Sequence, residues 1–380
     1  MPNRRGPHNV LAKSETAQIQ LREGHLPIRL AIEEQTSKRN PRWVERCTEL
    51  SAECAILDCY DSAIISRLHG FDGLVWHFFH SNATDLLMAR HVIASAERMG
   101  LRVFPDIDTC WHFDDKIAQK YVLEALGAPI VPTHVFYDKN SALEWLREAG
   151  YPLVRKLRRG AGSVNVALVS SFAEAVRHCD QMFGEGSTPA PAPFADSRRR
   201  IAQMLRSPRV FYRRVVGSAS YLRENRIRRR ELPIERGYVL FQDFVPNNAY
   251  DIRVTVVGDR AWGFTRDVRP GDFRASGSGR ITYVLKRIPL DCVRIAFEVS
   301  RALCAQSTAF DFVMSSAGHP QIVEISYGYD ASAIHAAPGH WSGDLTWNEG
   351  RLWPQDAIIS DLVESIRQRP DRTGMTAARA

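Results

Sequence analysis

The sequence lacks the features that would assign it to several large classes of protein. Its apolar runs fall short of the roughly 18 residues that a membrane-spanning helix requires. The segment Met1–Gly24 contains no apolar stretch of the kind found in signal peptides. The seven cysteines, from Cys47 to Cys304, include no C-x-x-C pair, which argues against a zinc ribbon and favours reduced thiols. We therefore expect a cytoplasmic protein without a membrane span.

The charge of the chain is unevenly distributed. Of the net charge of +7, the segment from Arg198 to Arg236 carries +10, from thirteen arginines and three glutamates, and the remainder carries −3. This segment can be a solvated insertion, or a patch that attracts an anionic substrate. Tyr212 and Tyr221 lie among the arginines, but no nucleic-acid recognition motif surrounds them, so we expect no nucleic-acid partner.

The N-terminal part of the pattern, residues 25–110, alternates short apolar runs with segments of helical length. Ala83–Gly100 is the clearest helix, and it ends at a glycine. Short apolar strands separated by helices predict a parallel α/β layer. No phosphate-binding fingerprint occurs in this part. The predicted strands are Leu26–Ile32, Cys54–Cys59, Gly73–Phe79 and Leu101–Pro105.

The middle of the chain, residues 111–184, shows helix boundaries and a glycine-rich loop. A helix capped by Asp114 is predicted to end at Gly127. S-x-x-E capping boxes predict two more helices, beginning at Ser141 and Ser171. The loop, residues 157–163, joins the predicted strands Tyr151–Lys156 and Val164–Val169.

The last third of the chain is rich in predicted strands. An antiparallel meander is predicted for Tyr238–Val245, Ile252–Val257 and Ala261–Thr265. A hairpin is predicted for Ala309–Met314 and Gln321–Ile325, around Ala317-Gly318. The predicted helices are Leu290–Cys304 and Asp356–Arg367.

Three groups of residues suit phosphate and metal chemistry. Lys116 and Lys156 lie beside a predicted helix start and the glycine-rich loop, where an ammonium and backbone amides can bind phosphate. Asp311 and Glu324 lie on the two strands of the predicted hairpin, where paired carboxylates can hold Mg²⁺ with phosphate oxygens. Four arginines suit the charge of a phosphoryl group in transfer; they are Arg253, Arg266, Arg269 and Arg274. Taken alone, each group also fits a structural role, as a glycine turn, half-exposed strand acids or a charged surface strand.

The order and spacing of these groups resemble those of the ATP-grasp superfamily, from about Leu26 to Ile366. The nearest likeness is the ribosomal-protein glutamate-ligase type. No single motif is specific, but seven in the same order favour the assignment. The matching residues are Asp115-Lys116, Lys156 with Gly160–Val166, Gln242–Val245, Asp251–Arg253, Gly271–Arg274, Asp311 and Glu324.

The resemblance implies an α/β protein that is α+β in its catalytic half. An N-terminal parallel pre-ATP-grasp domain would precede two α+β subdomains that clamp ATP. The implied nucleotide-binding residues are Lys116, Lys156, Gly160, Gly162, Ser163, Gln242, Asp243, Phe244, Val245, Asp251 and Ser276. The implied catalytic residues are Arg253, Arg266 and Arg274, and the implied Mg²⁺ ligands are Asp311, Glu324 and Ser326.

The metal motif of the family, E-x-N, is replaced here by Glu324-Ile325-Ser326. A serine hydroxyl is neutral and stands on a shorter arm than an asparagine amide, which puts a second metal and full activity in question. Asp330, six residues after Glu324, is a candidate to compensate. Leu157 in place of a proline and Asp243 in place of a glutamate are milder departures.

Two aromatic patterns fall outside these motifs. Trp341, Trp347 and Trp353 are six residues apart, which matches neither a helix face nor a heptad. They predict either a loop packed by aromatic rings, or a wall of the acceptor site or a dimer contact. The surrounding segment is loosely similar to the C-terminal part of ATP-grasp proteins associated with surface-polysaccharide assembly. His77 and His80 have no third ligand nearby in the sequence, so we expect structural roles for both.

The resemblance implies an ATP-dependent ligase that converts a carboxylate into an acyl phosphate, with release of ADP, for attack by an amine or similar nucleophile. Surface-polysaccharide or secondary-metabolite synthesis is the pathway we consider. Both substrates would be small molecules, at least one of them anionic, and a homodimer is considered because dimers are common in the family. The alternatives are a small-molecule kinase of the same fold, and a nucleotide-binding regulator that has lost turnover.

The domain organisation predicted for the 380 residues has six segments. The composition, 44% hydrophobic and 24% charged, is typical of a soluble globular chain with about two or three domains. The segments are a tail (1–24), the pre-ATP-grasp domain (25–110), a first ATP-grasp subdomain (111–184), a linker with the Arg-rich insertion (185–236), a second subdomain (237–368) and a C-terminal tail (369–380).

Overall fold

A computed structural model of the chain describes residues 27–160, 165–188, 232–269 and 271–368. Within these ranges the chain forms three β-sheets with helices packed against them. Both predicted tails, 1–24 and 369–380, lie outside the described residues. So do Gly162, Ser163 and most of the Arg-rich insertion. None of the described helices has the length and apolar character needed to cross a membrane.

The N-terminal sheet is parallel, as the alternating pattern predicts. Its strands are β1 (Arg29–Glu33), β2 (Glu53–Leu57), β3 (Gly73–Val75) and β4 (Arg102–Phe104), in the spatial order β2-β1-β3-β4. Four consecutive residues of β1 are buried, as expected for a strand covered on both faces. The helices of this layer are α1 (Glu34–Arg39), α2 (Arg42–Glu49), α3 (Ile64–Arg67), α4 (Ala83–Arg98) and α5 (Ile107–Cys110). The predicted helix Ala83–Gly100 is therefore confirmed.

The second sheet is antiparallel and has four strands. They are β5 (Thr133–Phe136), β6 (Leu153–Lys156), β7 (Ala167–Val169) and β8 (Val239–Asp243), in the order β5-β8-β6-β7. Helix α6 (Lys116–Ala125) precedes the sheet, and α7 (Lys139–Glu148) and α8 (Phe172–Phe183) pack on it. The meander predicted to begin at Tyr238–Val245 is wrong in its first strand, because β8 pairs with β5 and β6 and not with the strand that follows it. The other two predicted strands, Ile252–Val257 and Ala261–Thr265, do pair with each other.

The third sheet has seven strands with antiparallel pairings. They are β9 (Tyr250–Val257), β10 (Arg260–Asp267), β11 (Ile281–Thr282), β12 (Ser307–Met314), β13 (Pro320–Ser326), β14 (Gly339–Ser342) and β15 (Trp347–Glu349). The order is β13-β12-β9-β10-β14-β15, and β11 pairs with β10. The predicted hairpin around Ala317-Gly318 is confirmed as β12 and β13. The helices are α9 (Leu290–Ala302), α10 (Ala331–His335) and α11 (Pro354–Arg367), with a 3₁₀ helix at Leu285–Arg287.

Helix caps decide where three of these helices begin. Asp115, not the predicted Asp114, caps α6, because its carboxylate accepts the first free N–H groups of that helix. Asp138 caps α7, so the capping box predicted at Ser141 is wrong. Ser171 is confirmed as the N-cap of α8, since its hydroxyl accepts the N–H of Glu174, but the Glu174 carboxylate accepts the N–H of Ser170 and so does not complete the box.

The N-terminal sheet shares a hydrophobic core with the end of the chain. Leu30 of β1 and Trp43 of α2 belong to the same buried cluster as Ile358 of α11. Two hydrogen bonds join the guanidinium of Arg42 to the carboxylate of Asp356, at 2.5 and 2.9 Å. Strands of the seven-stranded sheet belong to this cluster as well. The parallel layer is therefore fastened to the C-terminal half through α11.

The three spaced tryptophans pack on the body of the protein. Trp341 of β14 is 4% exposed and meets Trp347 of β15 edge to face, with ring centroids 4.8 Å apart. Trp353, which precedes α11, stacks on His335 at 3.9 Å. The packing by aromatic rings is as predicted, but Trp341 and Trp347 lie on the paired strands β14 and β15 and not on a loop.

Candidate active site

A cavity of about 460 Å³ lies between the four-stranded and the seven-stranded sheet. Its volume is within the range of small-molecule sites, about 300–1,000 Å³. The predicted site residues that line it are Lys116, Lys156, Gly160, Gln242, Asp243, Phe244, Val245, Asp251, Arg274, Ser276, Asp311 and Glu324. The predicted residues Arg253, Arg266 and Ser326 are described but do not line it.

Lys116 reaches the cavity from the first turn of α6. Its ammonium lies 3.0 Å from Glu324 Oε1 and donates to the carbonyl oxygen of Gly160 at 2.7 Å. Burial lowers the pKa of Lys116, but the nearby carboxylates of Glu324 and Asp114 outweigh burial and raise it overall. Lys116 is therefore a permanent cation near neutral pH.

Lys156 ends β6 and is buried against neutral groups. Its ammonium donates to the side-chain oxygen of Gln242 at 2.6 Å and to the carbonyl oxygen of Val323 at 3.4 Å. Burial lowers the pKa of Lys156 to about 8, and the partial opposing effect of Glu324 does not restore it. An anion in the cavity would supply the counter-charge that Lys156 lacks.

The start of the glycine-rich loop is held by a carboxylate that the sequence analysis assigned to another role. Asp114 accepts the N–H of Gly160 at 2.9 Å. Burial raises the pKa of Asp114 to about 6. Gly160 has φ of 116°, a conformation that favours glycine. Asp114 is thus a positioning residue for the loop, and its neighbour Asp115 takes the capping role instead.

The segment Gln242–Val245, which the resemblance implies as the adenine-binding hinge, begins in β8 and continues beyond it. The side chain of Gln242 is fully engaged, since it accepts from Lys156 and donates to Thr133 Oγ1 at 3.0 Å. The strand ends at Asp243, so Phe244 and Val245 line the cavity with backbone that belongs to no strand. Thr133 was missed in the sequence analysis, because its link to Gln242 spans more than a hundred residues.

Asp311 and Glu324 are cross-strand partners on β12 and β13, as predicted. Two guanidinium nitrogens of Arg253 contact the two carboxylate oxygens of Asp311, each at 2.7 Å. Arg266 Nη2 also approaches Asp311, at 2.8 Å. Burial favours the neutral acid, but the two guanidinium groups outweigh it and hold the pKa of Asp311 well below its usual range.

Arg266 links Asp311 to a second acid. Its guanidinium makes hydrogen bonds of 2.8 and 2.6 Å to the two oxygens of Asp251. The four side chains of Asp251, Arg266, Asp311 and Arg253 therefore form one ion-pair cluster on β9, β10 and β12. We predicted that Arg253 and Arg266 stabilise a transferring phosphoryl group, whereas the structure pairs both with acids and places neither at the cavity wall.

Arg274 remains at the cavity, close to a partner on its own loop. Its Nη2 lies 2.8 Å from Asp272 Oδ2. The same acid accepts the N–H of Phe273 at 2.8 Å. Phe273 in turn packs edge to face with Phe244, with ring centroids 5.9 Å apart. Phe273 of this loop and Phe244, which follows β8, thus form one apolar part of the cavity lining.

The predicted metal ligands divide into two groups. Asp311 and Glu324 line the cavity, whereas the hydroxyl of Ser326 donates to the carbonyl oxygen of Gly328 and accepts its N–H, both at 3.1 Å. Among the described residues, no three His, Cys, Asp or Glu side chains form a group that could hold a metal ion.

His77 packs against Trp43, with ring centroids 6.2 Å apart, and burial lowers its pKa to about 4.

Comparison with known proteins gives matches to enzymes of one fold. No protein-family model matches the chain. A curated relative, the alpha-aminoadipate–LysW ligase LysX of Saccharolobus solfataricus, is 29% identical over 140 residues. The match covers 33% of this chain and 48% of LysX, so the chain spans about half the length of that relative.

Solved structures match over far more of the chain. An ATP-grasp RimK-domain protein from Sphaerobacter thermophilus aligns with a TM-score of 0.53 and 16% identity, over 88% of this chain and 98% of that chain. This chain has the ATP-grasp fold. D-Cycloserine synthetase DcsG matches with a TM-score of 0.51 and 15% identity, over 88% and 99% of the two chains.

A third neighbour of known structure was crystallised with nucleotide. It is the biotin carboxylase domain of the Hydrogenobacter thermophilus 2-oxoglutarate carboxylase, in complex with MgADP, ADP and bicarbonate. The TM-score is 0.54 at 13% identity, and the match covers 92% of this chain and 71% of that chain. The mixed architecture of this chain, with one parallel and two antiparallel sheets, agrees with the predicted fold class.

Proposed function

We propose that this chain is an ATP-dependent ligase that joins a carboxylate to an amine through an acyl phosphate. The observation that carries the proposal is the convergence of Lys116, Lys156 and Glu324 on one cavity between two sheets. The likeness to LysX, a ligase by name, supports the same reaction class.

The cavity offers a distinct surface for each part of ATP. Phe244 and Val245 present free-standing backbone beside the aromatic ring of Phe273, which suits the planar adenine. Lys116, which contacts Gly160, and Lys156 line the same cavity and suit the phosphates. Among the described residues, no carboxylate contacts Lys156, so phosphate oxygens would be its first anionic partners.

Magnesium fits this site when the nucleotide supplies part of its coordination. Mg²⁺ in phosphate-transfer enzymes is commonly held by one or two carboxylates, with phosphate and water oxygens completing six ligands. Glu324 would be the first protein ligand. Asp311, whose two oxygens contact Arg253 and Arg266, would be the second only by sharing an oxygen with those guanidinium groups. When bound, the ion would neutralise charge on the phosphates. The hydroxyl of Ser326 is engaged by Gly328 and is a poorer candidate.

The reaction would take place in two steps. A carboxylate oxygen attacks the γ-phosphorus of ATP, the bond to the β–γ bridging oxygen breaks, and ADP leaves. The amine nitrogen then attacks the acyl carbon, the C–O bond to phosphate breaks, inorganic phosphate leaves, and the nitrogen loses a proton. Phosphoryl transfer depends mainly on positioning and charge neutralisation, which Lys116, Lys156 and Arg274 would supply.

A hydroxylamine trap tests this proposal. The protein is incubated with Mg·ATP, a pooled panel of carboxylates and hydroxylamine, and both hydroxamate and ADP are measured. Equal amounts of the two products are expected, because hydroxylamine intercepts the acyl phosphate. ADP without hydroxamate would contradict acyl-phosphate chemistry. Lys286→Met, which removes an exposed lysine, is the control and should behave like the parent protein.

A second candidate is an ATP-binding regulator without turnover. The observation in its favour is the ion-pair cluster, in which Asp311 is already paired with Arg253 and Arg266, together with the engaged hydroxyl of Ser326. Tight binding of ATP in calorimetry, with no ADP released over hours in the presence of Mg²⁺ and the carboxylate panel, would favour this candidate.

A further inference from the structure

A second cavity, of about 280 Å³, lies at the edge of the N-terminal parallel sheet. Residues that follow β1, including Arg39, and residues that follow β3, including His77, form one wall. In the order β2-β1-β3-β4, the second strand lies on one side of β1 and the third strand lies on the other side. The strand order therefore reverses between β1 and β3. Open α/β sheets bind ligands in the crevice at such a point, beyond the carboxyl ends of the strands.

Arg39 brings an available cation to this cavity. Its guanidinium carbon lies 3.8 Å from the centroid of the Phe79 ring. Stacking of this kind fixes the plane of the guanidinium without using its N–H donors. Arg39 has no ion pair with any described residue. Its donors are therefore oriented and available to a planar anion, and a carboxylate matches their geometry.

Asp330 brings an anion to the same cavity. One carboxylate oxygen accepts the N–H groups of Ser332 and Ala333, at 2.9 and 3.4 Å, and the described residues contribute no cation to the other. Asp330 and Arg39 line the same cavity without pairing with each other. A cation and an anion held apart across a small cavity are complementary to a ligand that carries both charges.

The rest of the cavity is neutral. Trp43, His77 and Tyr329 contribute rings, and the pKa of His77, lowered to about 4 by burial, makes its imidazole uncharged near neutral pH. Gln355 is 5% exposed, and its side-chain oxygen has no hydrogen-bond partner among the described residues. A buried acceptor without a donor is costly, and an N–H group of a ligand would satisfy it.

The chain itself connects this cavity to the first one. Glu324 lines the cavity assigned to ATP, and Asp330, six residues later, lines the second. Six residues span at most about 20 Å when fully extended. Asp330 therefore lies within about 20 Å of Glu324, whereas Arg39 belongs to the N-terminal layer.

We propose that the second cavity binds the amine substrate, and that this substrate is an α-amino acid. Arg39 binds its carboxylate, and its ammonium lies toward Asp330, on the side from which the acyl phosphate is attacked. The volume of about 280 Å³, near the lower end of small-molecule sites, suits a ligand of this size. This inference rests on the proposed ligase function and specifies its nucleophile.

The test exploits the fact that hydroxylamine replaces the amine substrate. Free α-amino acids are screened as amine substrates with the carboxylate identified by the trap, and each active one is compared with its decarboxylated amine. Arg39→Gln is expected to raise the KM for the amino acid by about tenfold or more, the loss typical of a charge-assisted hydrogen bond, while hydroxamate formation falls much less. The Arg39→Gln variant should also lose the preference that the parent protein shows for the amino acid over its decarboxylated amine.

Two further variants make the result unambiguous. Arg98→Gln removes an exposed arginine at the end of α4, outside both cavities, and should match the parent protein. Arg39→Lys keeps the charge without the planar fork and should give an intermediate KM, which a folding defect would not produce. Equal loss of hydroxamate and amide formation in Arg39→Gln would overturn the proposal, because the cavity would then hold the carboxylate that is activated. An unchanged KM would overturn it as well.

Failure of the ligase function is recognised separately. If the parent protein forms neither hydroxamate nor ADP, calorimetry with the same amino acids and ADP tests the cavity alone. Binding that Arg39→Gln weakens and Arg98→Gln does not would support the site. Absence of binding by every amino acid of the panel would overturn it.

Discussion

On the four-stranded side of the ATP cavity, Lys156 is buried against an amide and a carbonyl oxygen, and burial lowers its pKa to about 8. On the seven-stranded side, Asp311 is buried just as deeply, yet two guanidinium groups hold its pKa well below its usual range. Burial therefore does not decide the charge of a group by itself; the partners in contact decide it. The four-stranded side thus holds an ammonium, that of Lys156, without an acidic partner among the described residues, and we call it the unmatched side. The seven-stranded side holds Asp311 with its arginine partners, and we call it the matched side.

The largest expected effect comes from breaking the matched side. Arg266→Met leaves Asp251 buried without its cation, and we expect a loss of about 3–5 kcal/mol in the free energy of unfolding, measured in urea. Adding Asp251→Asn should recover part of this loss, because the unpaired charge is removed. Arg294→Met, which breaks an exposed pair with Glu298, is the control and should cost less than about 1 kcal/mol. A loss equal to that of the control would contradict the cluster.

On the unmatched side, the expected effect is on activity and not on stability. Lys156→Met removes a cation from the phosphates, and we expect the rate of ADP formation to fall by about 100-fold or more. The melting temperature should not fall at pH 7, because a lysine whose folded pKa is lowered opposes folding while it is protonated. Lys286→Met, at an exposed position, should change neither quantity. A collapse in melting temperature for Lys156→Met would show that Lys156 is structural.

A smaller effect is expected from pH. Above a pKa of about 8, Lys156 of the free protein loses its proton, so its attraction for phosphate is lost as pH rises. From pH 7 to pH 9 the affinity for ATP should therefore fall by about tenfold, as one proton must be taken up on binding. Lys116, whose pKa is raised, should not contribute to this change. Calorimetry at constant Mg²⁺ in buffers of different ionisation enthalpy measures both the affinity and the proton uptake. A flat profile would contradict the pKa of Lys156.

The smallest expected effect is at Ser326. Its hydroxyl bonds within its own turn, to Gly328, so Ser326→Ala should lower the rate of ADP formation by no more than about threefold and stability by about 1 kcal/mol. A loss of tenfold or more in rate, with a raised requirement for Mg²⁺, would instead support the metal-ligand role that the sequence resemblance implies.

The local parts of this architecture follow from the sequence. Hydrophobic alternation and a turn at Ala317-Gly318 predict the β12–β13 hairpin, and its register places Asp311 opposite Glu324 as expected. A glycine at position 100 ends α4 within two residues of the predicted limit. Such features depend on neighbours in the chain, which a pattern of residues reports directly.

The parts that fail depend on distant partners. Arg253 is the cross-strand partner of Asp311, and Arg266 of Asp251, so the register of β9 with β12 and β10 commits both arginines to acids. Strand β8 pairs with β5 and β6, whereas the tendency of consecutive strands to pair predicts β9 as its partner. The choice between Asp114 and Asp115 as a cap fails for a smaller reason, since adjacent acids have equal propensity at that position.

The fastening of α11 to the N-terminal layer has a consequence for how the chain acquires its structure. Trp43 and Leu30 are covered by residues near position 358, so the first sheet cannot complete its core until α11 has been synthesised. Contacts of such long sequence separation slow folding, because a large loop must close before they form. During synthesis the apolar surface of the N-terminal layer therefore stays partly exposed until α11 packs on it.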